Sequence, residues 1–218
     1  MPQILTVNVA RPHPIPGDTS TMTGIAKMPT PDTVAVRAPG PMHGGAGSGL
    51  VGDFIGNQQV HGGDDQAVYA YAREDLDTWQ TILNRPLDNG AFGENITTAG
   101  LDVTHALIGE QWHLGTGGLI LEVAAPRIPC RTFAAWLAER GWIKTFSDAA
   151  IPGAYLRVLQ PGVMRASDAV TVSAHPSHTV TVGLVFRALT TEPDLLPALL
   201  EADALPEAVK ERARRRIR

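Results

Sequence analysis

The only cysteine of this 218-residue chain, Cys130, lies between two arginines, Arg127 and Arg131, in a short segment that also contains two prolines. Neighbouring positive charge lowers the pKa of a thiol and favours the thiolate, which attacks electrophiles and binds soft metals. The prolines restrict the backbone, so a rigid segment presents the sulfur. A lone cysteine can also be a small buried apolar residue. The arginines and prolines favour the reactive interpretation of Cys130.

A second polar segment begins at His61 and continues with Gly62 and Gly63. Paired glycines can adopt positive φ and turn their N–H groups toward an anion, or they can form an ordinary turn. A histidine beside them can donate or accept a proton near neutral pH. Asp65 follows in the same segment and adds a carboxylate.

A third polar segment, residues 92–95, ends in Glu94 and Asn95. These two side chains could hold one edge of a ligand, or could bond to a neighbouring loop. Arg127 and Arg131 could pair with surface carboxylates or bind a phosphate bidentately. The residue types alone do not choose between these alternatives.

The elements that must position these residues are predicted to be short. Seven runs rich in Val, Ile, Leu, Thr or Tyr, each bounded by turn-forming residues, are predicted as strands. They cover residues 4–9, 33–37, 67–71, 118–123, 155–159, 170–173 and 179–184. With 22 glycines and 17 prolines in the chain, this pattern favours a barrel or sandwich over alternating βαβ units.

Apolar residues at helical spacing predict helices over residues 74–83 and 131–142. The second helix would place Cys130 at or just before a helix N-terminus, where the helix dipole further stabilises a thiolate. Short helices are also predicted over residues 193–200 and 206–218. The last of these carries six basic and two acidic residues, a composition that can contact nucleic acid but is typical of a solvated helix face.

Composition narrows the class of protein. A net charge of −4 and 44% hydrophobic residues indicate a folded domain and argue against a general nucleic-acid binder. The first residues lack a signal-peptide pattern, and no run of about 18 apolar residues is present. One cysteine cannot form an internal disulfide, which suits a reducing compartment. We therefore expect a soluble, cytoplasmic protein with no membrane span.

Taken together, these segments resemble the MOSC domain family, which is related to the C-terminal domain of molybdenum-cofactor sulfurases. The resemblance is to its small stand-alone bacterial members. The matching segments are, in order, residues 49–53, 61–71, 92–97 with 100–101, 126–130 and 153–159, within a signature core of about 49–170. The resemblance implies a β-rich mixed α/β fold with a barrel-like core over residues 1–185. A C-terminal helical appendage over residues 186–218 would follow.

The resemblance also implies a molybdenum cofactor, a molybdopterin whose metal takes a protein thiolate, which by position is Cys130. We interpret His61 and Glu94 as candidates for proton delivery or substrate orientation. The candidate cofactor-binding residues are Gly62, Gly63, Asp65, Asn95, Arg127 and Arg131.

Related proteins reduce N-hydroxylated compounds, such as hydroxylaminopurines, to amines. The resemblance therefore implies an oxidoreductase, independent of pyridoxal phosphate, that acts on a small-molecule substrate. The chain carries no flavin, iron–sulfur or haem signature, so an external electron-donor protein is expected. One alternative is a carrier or maturation module that uses Cys130 for cofactor or sulfur without turnover, and a weaker one is a nucleic-acid-binding accessory. The C-terminal segment could form a homodimer interface or a redox-partner site, and both remain open.

Overall fold

The computed structural model describes residues 1–217, which form twelve strands, five α-helices and two 3-10 segments. The strands are β1 (Gln3–Ala10), β2 (His13–Ile15), β3 (Asp18–Thr23), β4 (Lys27–Thr30), β5 (Val34–Val36), β6 (Val68–Ala72), β7 (Ile96–Ala99), β8 (Gln111–Leu114), β9 (Leu119–Pro126), β10 (Ala154–Gln160), β11 (Gly162–Met164) and β12 (Val170–Ser173). The helices are α1 (Arg73–Leu83), α2 (Arg131–Leu137), α3 (Trp142–Ala149), α4 (Val182–Thr190) and α5 (Glu207–Ile217), and the 3-10 segments are Asp64–Gln66 and Pro193–Glu201.

Eight strands form one sheet in the order β12-β8-β9-β10-β6-β7-β1-β4. Strands β6 and β7 are parallel, and the other neighbours in this sheet are antiparallel. Two small sheets accompany it, in which β2 pairs with β3 and β5 pairs with β11. The predicted β-rich mixed α/β class is therefore confirmed.

The large sheet curls so that β1, its second-to-last strand, approaches β12 at the opposite end, but it does not close as a barrel. The contact consists of one isolated bridge between Gln3 and Ala169 and of backbone hydrogen bonds from the N–H groups of Ile4 to Asp168 (2.9 Å), Ser167 to Ile4 (2.8 Å) and Val170 to Pro2 (2.9 Å). No continuous ladder joins the two strands within residues 1–217. The barrel-like expectation is thus met by an open, curled sheet.

Two local predictions were wrong. Residues 179–184 were expected to be a strand, but Thr181 caps the helix α4 by accepting the Leu184 N–H (3.1 Å). A short apolar run does not by itself distinguish a strand from a buried helix segment. The single helix expected over 131–142 is broken, because Ala138 (φ 53°) and Gly141 (φ 74°) are left-handed. The turn between them separates α2 from α3.

The parallel pair β6–β7 brings two of the predicted site segments together. Helix α1 lies between these strands in the chain and buries Leu76 and Trp79 in the second apolar cluster of the fold. Just before β7, Asn95 forms two hydrogen bonds with Tyr69 of β6: its N–H donates to the Tyr69 carbonyl (2.7 Å), and its Oδ1 accepts the Tyr69 N–H (3.1 Å). The register of this pair therefore fixes Asn95 beside β6.

A cluster of aromatic rings supports the start of α2. The ring of Phe133 lies 5.1 Å from Phe92 and 5.3 Å from both Trp142 and Phe146, centroid to centroid. All four side chains are fully buried. Interlocked rings of this kind bury large apolar areas and prefer such edge-to-face contacts. The cluster holds α2, and with it Cys130, against the rest of the fold.

The C-terminal segment packs on the main core. Leu196, Leu199 and Ala213 are buried in the same apolar cluster as the strands of the large sheet. The helix predicted over 206–218 is observed as α5, and Arg218 lies outside the described residues. The division between a domain over 1–185 and an appendage over 186–218 stays a prediction. None of the helices found in residues 1–217 combines the length and apolar character needed to cross a bilayer.

Candidate functional site

A cavity of about 410 Å³ lies where the β2–β3 hairpin, the loop of residues 55–62, strands β6 and β10 and the start of α2 meet. Its volume is within the range of small-molecule and cofactor sites. Three of the nine predicted site residues, Gly63, Asp65 and Glu94, lie outside its lining. The six that line it are His61, Gly62, Asn95, Arg127, Cys130 and Arg131.

Cys130 sits where strand β9 has ended and helix α2 begins. It is the N-cap residue of α2, with extended backbone, and its carbonyl accepts the Ala134 N–H (3.0 Å). Burial raises the pKa of the thiol, but a hydrogen bond with His61, the charge of Arg127 and the N–H of Phe133 outweigh it and lower that pKa to about 7. The thiol therefore reaches its reactive, metal-binding form near neutral pH. The predicted position of Cys130 at a helix N-terminus is confirmed.

Arg127 is a buried cation that faces the cavity. It is only 6% exposed, and its guanidinium lies 3.8 Å from the ring centroid of Phe133 and 5.2 Å from that of Tyr69. One nitrogen, Nη1, donates to the Phe92 carbonyl (3.0 Å). Among the described residues, no carboxylate forms an ion pair with it. A buried charge normally has an ionic partner, so this guanidinium is suited to an anionic ligand in the cavity.

Arg131 differs from Arg127 in its surroundings. It is the first residue of α2, and its side chain is exposed at the cavity mouth. An exposed arginine keeps its hydration and binds an anion more weakly than a buried one. The structure thus separates the two arginines that the sequence left equivalent.

Asn95 belongs to a buried polar group centred on Asp53. Its Nδ2 donates to Asp53 Oδ2 (2.9 Å), and Lys27 Nζ lies 2.6 and 2.7 Å from the two carboxylate oxygens. Ser48 Oγ (2.7 Å) and the Ala10 N–H (2.8 Å) also donate to this carboxylate. The side chains of Lys27 and Asp53 are 4% and 0% exposed. Both Lys27 and Asn95 line the cavity, whereas Asp53 does not. Asp53 therefore holds two side chains of the cavity in position without lining it.

The two glycines after His61 do not form the anion nest that was predicted. The Gly62 N–H donates to Gln66 Oε1 (3.3 Å), and the Gly63 N–H donates to the Gly47 carbonyl (2.9 Å). Both have positive φ (88° and 81°), and a Cβ on Gly62 would lie 2.7 Å from the Gly47 oxygen. Their small size is therefore required for close backbone packing, which places His61 beside the thiol.

Glu94 and Asp65 are held away from the cavity by other partners. Glu94 is fully buried and accepts from the N–H groups of Gly90 (2.5 Å) and Phe92 (3.0 Å) and from Thr97 Oγ1 (2.8 Å). Asp65 pairs with Arg157 (2.5 Å). Glu94 and Asp65 therefore stabilise the surrounding loops and do not make the predicted contacts with substrate and cofactor.

Sequence reasoning assigned no role to several residues in or behind the cavity wall, among them Lys27, Asp53, Tyr69 and Tyr155. Asp53 and both tyrosines lay inside the matched segments but carried no assigned role. Lys27 had no local signal, because only the fold brings it to Asp53, 26 positions away in the chain. A buried pair of opposite charges at that separation cannot be recognised from spacing alone.

The residues present fit a molybdenum–pterin cofactor. Cys130 offers one soft thiolate, and Arg127 offers a cation for a phosphate. Within residues 1–217, no group of three or more His, Cys, Asp or Glu side chains could hold a metal by itself. A metal bound at Cys130 would therefore need its other ligands from a bound group, as a cofactor with its own donors provides.

A second, larger cavity of about 690 Å³ lies on another part of the fold, lined in part by Glu74, Asp75 and Asp102. Burial raises the pKa of Asp75 to about 6, and the neighbouring carboxylates Asp102 and Glu74 add to this effect. The folded protein therefore keeps a proton on Asp75 over a pH range in which the unfolded chain has released it. Stability contributed by this group is present below about pH 4 and is lost as the pH rises through about 6.

The substitution Asp75→Asn is expected to raise the free energy of unfolding by about 2–3 kcal/mol at pH 8, and by little at pH 4. The amide removes the cost of ionising a buried carboxyl group. Urea denaturation at both pH values measures the effect, with Asp88→Asn as the control because Asp88 is exposed. Equal stabilisation at both pH values would contradict the assignment to Asp75 ionisation.

Comparison with known proteins identifies the family. The MOSC domain family model matches residues 57–171, more than half of the chain, and the chain belongs to the MOSC domain family. This confirms the resemblance drawn from the sequence. The family takes its name from molybdenum cofactor sulfurases.

Individual relatives carry different names. The chain is 32% identical over 160 residues to the uncharacterized protein YflK of Bacillus subtilis, an alignment that covers 73% of this chain and 67% of YflK. It is 29% identical over 163 residues to a protein of Gibberella moniliformis named reductase, of which it spans only 28%. The crystal structure of YiiM from Geobacillus stearothermophilus superposes with a TM-score of 0.80 at 25% identity, over the whole of both chains.

Proposed function

We propose that this protein is a molybdenum-cofactor-dependent oxidoreductase that reduces N-hydroxylated small molecules to amines. The observation that carries the proposal is the pairing, in one cavity, of a thiol whose pKa is about 7 with a buried guanidinium that has no carboxylate partner among the described residues. The first suits a soft metal ligand and the second suits an anionic cofactor group. Membership of the MOSC family and the likeness to a protein named reductase support the same conclusion.

Cys130 would bind the metal, and Arg127 would bind the phosphate of the pterin. The bound cofactor would supply the two-electron redox chemistry. The overall reaction breaks an N–O bond and consumes two electrons and two protons, giving an amine and water. The electrons would come from an external donor protein, as the sequence predicts.

His61 is the residue best placed to handle a proton. Its side chain is among the groups that lower the pKa of Cys130 and it lines the same cavity, so it could deliver a proton to the leaving oxygen. Tyr69 and Tyr155 also line the cavity, and burial raises the pKa of both hydroxyls, which therefore stay neutral. The Tyr69 hydroxyl already donates to the Pro152 carbonyl (2.8 Å), which leaves Tyr155 as the tyrosine that could donate to a ligand. Glu94 takes no part in this proposal as a proton donor, because its carboxylate is enclosed by backbone donors.

The test is metal and pterin analysis of protein purified from a host that makes molybdenum cofactor, wild type beside Cys130→Ala. We expect near-stoichiometric molybdenum in the wild type, its loss in the variant, and a fall in hydroxylamine reduction of more than about 100-fold. Even residues that only support metal ligands typically contribute 10- to 100-fold. A thermal melt of each protein controls for folding.

Two results would overturn the proposal. Retention of molybdenum and full activity by Cys130→Ala would exclude Cys130 as the metal ligand. Absence of molybdenum and pterin from the wild type would instead favour the carrier or maturation role. Mass spectrometry of Cys130 for a persulfide would then be the next measurement.

A further inference from the structure

Arg157 lies beside the Cys130 cavity without lining it. It is on strand β10, two residues after Tyr155, whose side chain lines the cavity. Side chains two positions apart on a strand point to the same face of the sheet, so Arg157 projects from the face that carries Tyr155. Its side chain is 22% exposed, and it is not among the lining residues. Arg157 therefore belongs to the support of the cavity wall.

The guanidinium of Arg157 joins separate parts of the chain. Its Nε and Nη2 donate to Asp65 Oδ1 (2.9 and 2.5 Å), and its Nη1 donates to Glu122 Oε1 (2.5 Å). Nη1 and Nη2 also donate to the Ala204 carbonyl, both at 3.2 Å. These bonds occupy all five N–H groups that an arginine side chain carries. Arg157 thus connects β10 with β9, with the segment of Asp65 and with the C-terminal segment, and has no donor left for a ligand.

Asp65 belongs to the segment that carries His61, residues 61–66, which we call the His61 segment. Asp65 lies in the 3-10 turn at the C-terminal end of this segment. The next residue, Gln66, closes the segment on itself, because its Oε1 accepts the Gly62 N–H (3.3 Å). A contact that holds Asp65 therefore also restrains the part of the segment next to His61.

The His61 segment needs such support because two glycines, Gly62 and Gly63, separate His61 from the turn at Asp65. Glycine has the greatest backbone freedom of any residue, so the position of His61 depends on how firmly the turn is held. On one side, two N–H groups of the segment donate to carbonyls of the loop after β5 (both 2.9 Å). On the other side, Arg157 binds Asp65 from a central strand of the large sheet. Central strands are among the most stable parts of a fold, so Arg157 provides the more rigid of these two supports.

We infer that Arg157 is a positioning residue for His61: by holding Asp65, it fixes the His61 segment at the cavity. Because the Ala204 carbonyl orients the same guanidinium, the C-terminal segment takes part in this support. The inference rests on the proposed function for the role of His61 as a proton donor. It extends that function to a residue outside the cavity lining.

The test compares Asp65→Ala with Glu122→Ala, because each substitution removes one carboxylate that lies 2.5 Å from Arg157. The side chain of Glu122 is 15% exposed and that of Asp65 is 46% exposed, so Glu122→Ala should destabilise the fold at least as much. Only Asp65 belongs to the His61 segment. A purely structural network therefore predicts the larger effect for Glu122→Ala, whereas a positioning role predicts the larger effect on the site for Asp65→Ala.

The first readout needs no cofactor. Amide hydrogen exchange is measured by NMR on the full-length protein from a host that lacks the cofactor, with thermal melts as the control for folding. We expect Asp65→Ala and Arg157→Gln to raise the exchange rates of Gly63 and Asp64 about tenfold or more, and Glu122→Ala to raise them less than about twofold.

The second readout separates KM from kcat in the cofactor-loaded enzyme, with N-methylhydroxylamine as the substrate and a generic chemical electron donor. Because a small misplacement of a catalytic group can cost about 100-fold in rate, we expect Asp65→Ala to lower kcat per bound molybdenum about tenfold or more. KM should change less than about twofold, since Asp65 and Arg157 do not line the cavity. In a His61→Gln background, Asp65→Ala should lower kcat less than about twofold, because both changes act on the same group.

Equal effects of Asp65→Ala and Glu122→Ala on exchange in the His61 segment would overturn the inference. So would a loss of kcat through Asp65→Ala that is as large in His61→Gln as in the wild type. Faster exchange in Asp65→Ala, together with a wild type that does not reduce the substrate, would leave the positioning role of Arg157 standing and would overturn the proposed reductase function instead. Exchange and turnover therefore separate the two hypotheses.

Discussion

Replacing Asp53 with alanine is expected to lower the free energy of unfolding by about 3–5 kcal/mol, the largest effect of a single substitution that we predict for stability. The change leaves Lys27, whose side chain is only 4% exposed, as a buried ammonium without its carboxylate. It also removes the acceptor for Ser48, Asn95 and the Ala10 N–H. Each of these donors is then left without its acceptor, and the free-energy cost of removing it from water is no longer fully offset. Urea denaturation measures the loss.

The two halves of this ion pair should not be equivalent. Lys27→Met should cost less than Asp53→Ala, because Asp53 keeps three other donors while the ammonium has no second acceptor among the described residues. Asp148→Ala, which breaks an exposed pair with Lys144, is the control and should cost less than about 1 kcal/mol. A cost for Lys27→Met equal to that of Asp53→Ala would show that the ion pair, and not the wider hydrogen-bonded group, carries the stability.

If the proposed function holds, the substitution Arg127→Gln is expected to weaken retention of the molybdenum–pterin cofactor by about 30-fold or more, the largest functional effect after loss of Cys130 itself. Removing one partner of a buried charge–charge contact typically costs 2–5 kcal/mol, and about 1.4 kcal/mol corresponds to a factor of ten. Arg127 is buried and faces the cavity, so no solvent cation replaces it. Molybdenum and pterin remaining after extended dialysis give the measurement.

Arg131→Gln is the matched control for Arg127→Gln, because Arg131 is exposed at the mouth of the same cavity. We expect it to reduce cofactor retention less than tenfold. A second readout needs no cofactor: Arg127→Gln should raise the pKa of Cys130 above its value of about 7, since the guanidinium charge helps to lower it. The pH dependence of iodoacetamide alkylation, in protein from a host that lacks the cofactor, reports this pKa. Comparable losses in both arginine variants would contradict the distinction between them.

Cys130 could be proposed as a reactive thiol from the sequence because two of the groups that lower its pKa, Arg127 and the Phe133 N–H, are local, whereas His61 reaches it only through the fold. Cys130 is flanked by Arg127, and the following apolar spacing marks the start of a helix. The structure confirms the N-cap position and a lowered pKa. The length of that helix could not be predicted as well, because Ala138 and Gly141 adopt left-handed backbone conformations that only the packing of the aromatic cluster selects.

The roles of the remaining site residues depended on partners that are distant in the chain. From its residue type, Glu94 could be a catalytic acid, but in the fold its carboxylate accepts hydrogen bonds from the N–H groups of Gly90 and Phe92. Gly62 and Gly63 have the composition of an anion nest, but their N–H groups bind Gln66 and Gly47. The residue type indicates which hydrogen bonds a group can form, whereas its partners in the fold decide which of them remain available to a ligand.

By itself, the sequence predicted the β-rich class and marked Cys130 as the candidate reactive residue, because periodicity, turn residues and neighbouring charge act over a few positions. The matching segments, in their order along the chain, indicated the MOSC family. Only the tertiary structure decided which side chains share the cavity. Lys27, Asp53 and Asn95 are brought together by the pairing of β1 with β4 and β7. The burial of Arg127 and the exposure of Arg131 follow from the packing of α2 on its aromatic cluster. Burial sets the strength of electrostatic interactions, and burial is a property of the whole fold.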